Sequence, residues 1–212
     1  VRAPDVLLLD EALNGLDAAG RPAFLRALRR MATARTAWIM SSHRAEDRPA
    51  GVTHVASITE GRLEVAPVQR YAETASRAPG VVGTPAGPVS RHDAAGRSVE
   101  PQRDSAWSDA SDCLLSLRNA TVYRDGLKVI GRFDWDLRAG QHWSIRGANG
   151  AGKSTLIALL YGDLWPALGG QLLRRWSTTD EWKARVGLVS PELQARYAAT
   201  GCTVEQIVPS GL

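Results

Sequence analysis

Gly147-Ala148-Asn149-Gly150-Ala151-Gly152-Lys153-Ser154 fits the pattern G-x-x-x-x-G-K-[ST]. Its glycines let backbone N–H groups converge on phosphate oxygens, and a helix that follows adds its positive N-terminal end. Lys153 has the reach for β and γ phosphates, the Ser154 hydroxyl suits Mg²⁺, and Thr155 can add a hydroxyl to the α phosphate. The pattern carries this meaning only between a strand and a helix. Both flanks are legible: His142-Trp143-Ser144-Ile145 reads as a buried strand running into the loop, and Lys153 to Tyr161 as the helix leaving it.

Outward from this loop, strands are expected at Leu114–Leu117, Phe133–Leu137 and Val186–Val189. The amino-terminal part reads strand, helix, strand, hairpin. Val6-Leu7-Leu8-Leu9 is a continuous apolar run, as a strand buried on both faces requires. Pro22 suits the first turn of a helix that places Phe24, Leu25, Leu28 and Met31 on one face. Ala37-Trp38-Ile39-Met40 is a second buried strand, and Val52–Ile58 and Arg62–Val65 are paired about Glu60-Gly61. Strands alternating with helices make the fold class α/β.

Between the two parts the composition changes. From Ala66 to Asp112 there is no Leu, Ile, Phe or Met, and Ala, Gly, Pro and Ser dominate. Such a stretch cannot bury enough apolar surface to offset its ordering entropy. Residues 66–112 are therefore expected to be a flexible linker. The whole chain has 212 residues with a net charge of +4. Arg outnumbers Lys 23 to 3, a bias of base composition more than of a basic patch, and four excess charges leave a weak footprint for nucleic acid. The longest apolar run, Leu156 to Tyr161, is far short of the roughly 20 residues of a membrane-spanning helix. Cys113 and Cys202 lack metal-site or CxxC spacing, and two such thiols fit a cytoplasmic location.

The Val6–Leu9 run ends in Asp10-Glu11. A carboxylate at the carboxyl end of a buried strand can hold Mg²⁺ beside a phosphate loop, which assigns Asp10 to the metal. Glu11 can act as general base towards the attacking water. His43 closes the second strand at Ser41-Ser42-His43, where it can contact a γ phosphate.

These motifs together resemble the ATP-binding cassette family of ATPases, and so imply a P-loop NTPase (RecA-like) cassette with ATP and Mg²⁺ as cofactors. Leu8-Leu9-Asp10-Glu11 is similar to the Walker B strand, Asn14-Gly15-Leu16-Asp17 to the D-loop with Asp17 as its interface aspartate, and Ser41-Ser42-His43 to the switch histidine. Gly147 to Thr155 resembles the Walker A. Tyr123, in Val122-Tyr123-Arg124-Asp125-Gly126, resembles the A-loop aromatic that stacks on adenine; an ordinary strand aromatic is the alternative. Pro191 stands where the family's Q-loop glutamine follows the strand, so Gln194 is the Q-loop candidate. The resemblance implies Glu11 and His43 as catalytic residues and Asp10 with Ser154 at the metal.

The motif order departs from a single cassette, because Walker B, D-loop and histidine precede the Walker A, and no LSGGQ signature occurs. The expectation is an excerpt: residues 1–65 as the C-terminal part of one cassette, and residues 113–212 as the N-terminal part of a second. The start at Val1 agrees with it. Gly140-Gln141-His142-Trp143-Ser144-Ile145 and Val186 to Gln194 resemble the soluble tandem-cassette ATPases of the molybdate-transport and photorepair type. The implied partners are ATP, a second cassette or the rest of a tandem protein supplying the signature, and membrane transporter subunits. Without a signature the chain alone is expected to bind ATP weakly and hydrolyse it negligibly. In an alternative packing, the two parts form one circularly permuted core with Asp10 beside Ser154. Functional alternatives are a ribosome-associated twin-cassette factor, disfavoured by the Pro/Gly-rich linker, and a non-catalytic nucleotide-binding module.

Overall fold

The computed structural model describes residues 4–14, 16–31, 36–42, 49–69, 112–193 and 195. In chain order the elements are β1 (Val6–Leu9), α1 (Gly20–Met31), β2 (Ala37–Ser41), β3 (His54–Thr59), β4 (Arg62–Pro67), β5 (Cys113–Arg124), β6 (Leu127–Arg138), β7 (His142–Arg146), α2 (Lys153–Tyr161), β8 (Gln171–Arg174), α3 (Thr179–Lys183) and β9 (Val186–Val189). Residues 70–111, most of the expected linker, lie outside the described residues, as do His43, Gln194, Gly15, Cys202 and the side chain of Met31.

Strands from both parts of the chain share one six-stranded sheet, ordered β4-β3-β7-β2-β1-β9. All neighbours are parallel except the β3–β4 hairpin. The loop-bearing strand β7 lies between β2 and β3, with Ile39 opposite Trp143 and Ala56 opposite Ile145. On the other side of β1, Leu8 is opposite Leu188 of β9. This is the packing of the permuted-core alternative.

Alternation along the short central strands feeds a core on each face of the sheet. Val6, Leu8, Ile39, Ile58 and Ile145 join α2 residues Leu156, Leu159 and Leu160 in one cluster. Leu9, Trp38, Met40 and Val55 join Leu28 of α1 in the other, with Phe24 and Leu25 packed against it. Helix α1 therefore turns Phe24, Leu25 and Leu28 of its expected face to the sheet, whereas α2 is buried over most of its surface.

A three-stranded antiparallel sheet, β6-β5-β8, packs into the first cluster through Leu115, Leu117, Val122, Ile130 and Leu137. Its first two strands are 12 residues each, far longer than the expected Leu114–Leu117 and Phe133–Leu137. The reason lies in Asp125-Gly126, whose φ values of 51° and 78° make the two-residue turn with both central residues left-handed that closes long hairpins. Asn119 interrupts the ladder with φ 52°, and Asp134 accepts its N–H at 2.6 Å, so the strand continues beyond the break. Glu60-Gly61 makes the same turn between β3 and β4, as expected. The short β8 and α3 had no counterpart in the sequence reading, although Thr178 and Glu181 form a reciprocal capping box at the start of α3.

Side chains also join the two parts of the chain across the sheet. Trp38 on β2 stacks on His142 of β7, with ring centroids 4.8 Å apart and planes 8° from parallel. His54 on β3 stacks on Trp143 at 4.5 Å. Burial holds the His54 imidazole below its ordinary value of 6.5, which favours the neutral ring in this stack. Because Trp38 is fully buried, Trp38→Ala is expected to lower unfolding stability by about 3–5 kcal/mol in urea titrations followed by far-UV circular dichroism.

Candidate functional site

β7 ends at Arg146, and the chain turns at Gly147 with φ 154°. A Cβ at Gly147 would lie 2.7 Å from the Ile58 carbonyl oxygen, and one at Gly152 would lie 2.6 Å from Val129 Cγ1. The loop is thus wedged between β3 and β6, where only glycine fits. Gly152, at φ 106°, is the N-cap of α2 and supplies no side-chain cap. A Cβ at Gly150 would meet nothing within 4 Å, so the apex of the loop opens on free space.

Lys153 is buried, and its ammonium donates to the carbonyls of Gly147 and Ala148 at 3.1 and 3.0 Å. In this state the lysine tethers the loop to itself. The α2 helix behind it is anchored at its last turn by Trp182 Nε1, which donates to the Leu160 carbonyl at 2.9 Å.

A cavity of about 600 Å³ is lined by Asn149, Gly150, Gly152, Lys153, Ser154 and Thr155, with Glu11 and Asn14 on its wall. A neighbouring cavity of about 430 Å³ is lined by both Asp10 and Ser154. The two carboxylates read from the sequence and the loop therefore meet in one place, although about 140 residues separate them. Ala148 and Ala151 complete the loop, with the Ala151 N–H donating to the Ala148 carbonyl at 3.1 Å.

Asp10 is buried, and Ser41 Oγ donates to its Oδ1 at 2.5 Å. The same Ser41 Oγ accepts the backbone N–H of Glu11 at 2.9 Å. Glu11 has φ 47°, a left-handed conformation that costs a non-glycine residue about 1–2 kcal/mol. Asn14 Nδ2 donates to Glu11 Oε2 at 2.7 Å. Neither Ser41 nor Asn14 had an individual role in the sequence reading. Both stand inside motifs that reading quoted, and a hydroxyl or amide so close to paired acids was the available signal.

Two other expectations meet the structure differently. Asp17 Oδ1 accepts the Gly20 N–H at 2.6 Å, the spacing of a helix N-cap, so its visible task is to start α1. Tyr123 is 47% exposed on β5; among the described residues, the cavity wall facing the loop is made by Arg124, Asp125, Leu127 and Val129 of the same hairpin. Glu192 and Leu193, just before Gln194, line the cavity of Asp10 and Ser154.

The family model described as ABC transporter matches residues 130–204, which contain the loop, α2 and β9. Over those residues the chain is similar to the ATP-binding cassette family. The relatives it matches are ABC proteins. The chain is 28% identical to the ABC transporter ATP-binding protein ModF of Escherichia coli, over 98% of this chain and 43% of that protein. It is also 28% identical to an uncharacterised ABC transporter ATP-binding protein of Schizosaccharomyces pombe, over 77% of this chain and 31% of the other. A zinc import ATP-binding protein, ZnuC of Magnetococcus marinus, is 39% identical over 34% of this chain and 27% of its own length. The chain thus spans less than half the length of these curated relatives. Among the described residues no helix is long and apolar enough to cross a membrane.

The glycines make a graded test of the loop. Gly150→Ala is expected to cost about 1–2 kcal/mol through its left-handed backbone alone. Gly152→Ala adds a collision with Val129 and is expected to cost about 2–5 kcal/mol. Thermal unfolding of the two variants checks the order.

Proposed function

We propose that this ABC chain binds ATP with Mg²⁺, and that within the intact protein the site hydrolyses it. The observation that supports this reading most is that Asp10 and Ser154, from the two parts of the chain, line one cavity adjoining the phosphate loop. Mg²⁺ takes oxygen donors, commonly one or two carboxylates plus substrate phosphates. Asp10 and Ser154 fit that donor set. The open apex at Gly150 and the α2 N-terminus without a side-chain cap fit a triphosphate. When bound, Mg²⁺ would neutralise charge developing on the transferring phosphoryl group.

The chain's own residues have distinct tasks in this reading. Lys153 exchanges the Gly147 and Ala148 carbonyls for phosphate oxygens. Asp10 and Ser154 hold the metal, Thr155 donates to the α phosphate, and Gly147, Asn149, Gly150, Ala151 and Gly152 present backbone N–H groups. Glu11 accepts the proton of the attacking water, held at the loop by its left-handed backbone and by Asn14. His43 and Gln194 keep the γ-phosphate and Q-loop roles that the family resemblance implies, and Tyr123 that of the adenine platform, alongside the hairpin tip at Leu127. Asp17 is assigned to the interface with a second cassette.

Residues 1–65 are read as cassette sequence carrying the Walker B, 66–112 as the linker, although its first two residues, Ala66 and Pro67, complete β4, and 113–212 as cassette sequence carrying the Walker A. The match to ModF covers 98% of this chain and so runs across both segments and the linker, which supports reading this order as that of one longer protein. A signature motif would come from the rest of such a protein or from a second cassette. Association with membrane transporter subunits, for molybdate or another solute, and a cytoplasmic location complete this reading; similarity to ATP-binding proteins of ABC transporters and of zinc import supports its transport part.

Titration with a fluorescent ATP analogue tests the reading. The wild-type chain is expected to bind more tightly with Mg²⁺ than in EDTA. Lys153→Ala is expected to lose at least tenfold in affinity under both conditions, and Asp10→Asn to lose only the Mg²⁺-dependent gain. Unchanged binding in both variants would refute it.

A further inference from the structure

We infer that Ser41 is a positioning residue whose single hydroxyl sets both the Asp10 carboxylate and the Glu11 turn, and so tunes the affinity of the site for the divalent cation. This rests on the proposed reading of Asp10 as a metal ligand. Ser41 is the last residue of β2 and is 1% exposed. It lies opposite Ile145 of β7, two residues before the loop begins at Gly147. On its other side it is next in register to Asp10, because Leu9 is opposite Met40.

A serine hydroxyl has one proton to donate and two lone pairs to accept with. Here the N–H of Glu11 fills a lone pair, so the proton is committed to Asp10 Oδ1. The carboxylate cannot then rotate freely, and its other oxygen is the one left for the cavity shared with Ser154. The bond to the Glu11 N–H also secures the left-handed residue that turns the chain from the strand into the neighbouring cavity. One oxygen atom thus couples the aim of both acids. An apolar side chain at position 41 would remove the hydroxyl partner of a part-buried N–H and of a buried carboxylate oxygen together, and each loss is penalised more than a formed bond is rewarded. Groups that orient a metal ligand from behind are typically worth 10–100-fold in metal affinity.

The test is the Mg²⁺ concentration that half-saturates the gain in affinity for a fluorescent ATP analogue, measured on the full chain beside the affinity in EDTA. Ser41→Ala is expected to raise that concentration tenfold or more and to leave the EDTA affinity within twofold, since the phosphate loop is untouched. Ser41→Thr, which keeps the hydroxyl, is expected within threefold of wild type in both. If the alanine variant does not fold, Ser41→Cys, close in volume but a weak donor, is expected to give the same shift. A Ser41→Ala curve that overlays wild type while Asp10→Asn is displaced would overturn the inference and leave the site intact. An Asp10→Asn curve that also overlays wild type would remove the metal-ligand reading and this inference with it.

Discussion

β7 runs through the middle of the main sheet with its backbone hydrogen-bonded to β2 on one side and β3 on the other. Buried N–H and C=O groups have to be paired, and those of β7 are paired by strands from the far end of the chain. The position of the phosphate loop follows from that constraint. The loop leaves the end of β7, while Asp10 and Glu11 leave the end of β1, one strand beyond β2. Parallel strands put both exits at the same edge of the sheet. Side chains reinforce the seam: the Trp38–His142 and His54–Trp143 stacks cross it, and the Thr53 N–H donates to the His142 carbonyl at 2.8 Å.

The edge carries chemistry because several local strains are held there together. Gly147 and Gly152 occupy positions a Cβ could not share with Ile58 and Val129. Glu11 is left-handed without being glycine, and Ser41 and Asn14 hold its two ends. Backbone strain of this kind persists only where neighbours over-determine it. The packed faces of the sheet supply those neighbours, through Leu8, Ile39 and Ile58 on one side and Leu9, Trp38 and Met40 on the other.

Much of this could be read from residues alone. The apolar runs Val6–Leu9 and Val186–Val189 and the helix Lys153–Tyr161 have the bounds their sequence indicates, because short, fully buried strands and a helix capped by glycine leave little choice. The site residues lay in motifs whose spacing encodes phosphate and metal chemistry. What local pattern could not convey was which strands pair. Both an interleaved sheet and two separate part-sheets satisfy the same hydrophobic periodicity, since burial on both faces does not name the neighbour. The long β5–β6 hairpin was hidden by Arg118-Asn119, polar residues that interrupt the alternation and are accommodated by Asp136 and Asp134 on the opposite strand. Ser41 was hidden for a related reason. A serine on a strand has no signature until the strand beside it is known to end in two acids.

The most direct measurement of the interleaved sheet is to cut the chain once, at a protease site engineered between residues 70 and 111, and to follow the two pieces by size-exclusion chromatography without denaturant. With β7 seated between β2 and β3, the pieces are predicted to co-elute at the size of the uncut chain and to part only in denaturant. Pieces that separate under native conditions, each still folded by circular dichroism, would contradict the shared sheet and the single site built on its edge.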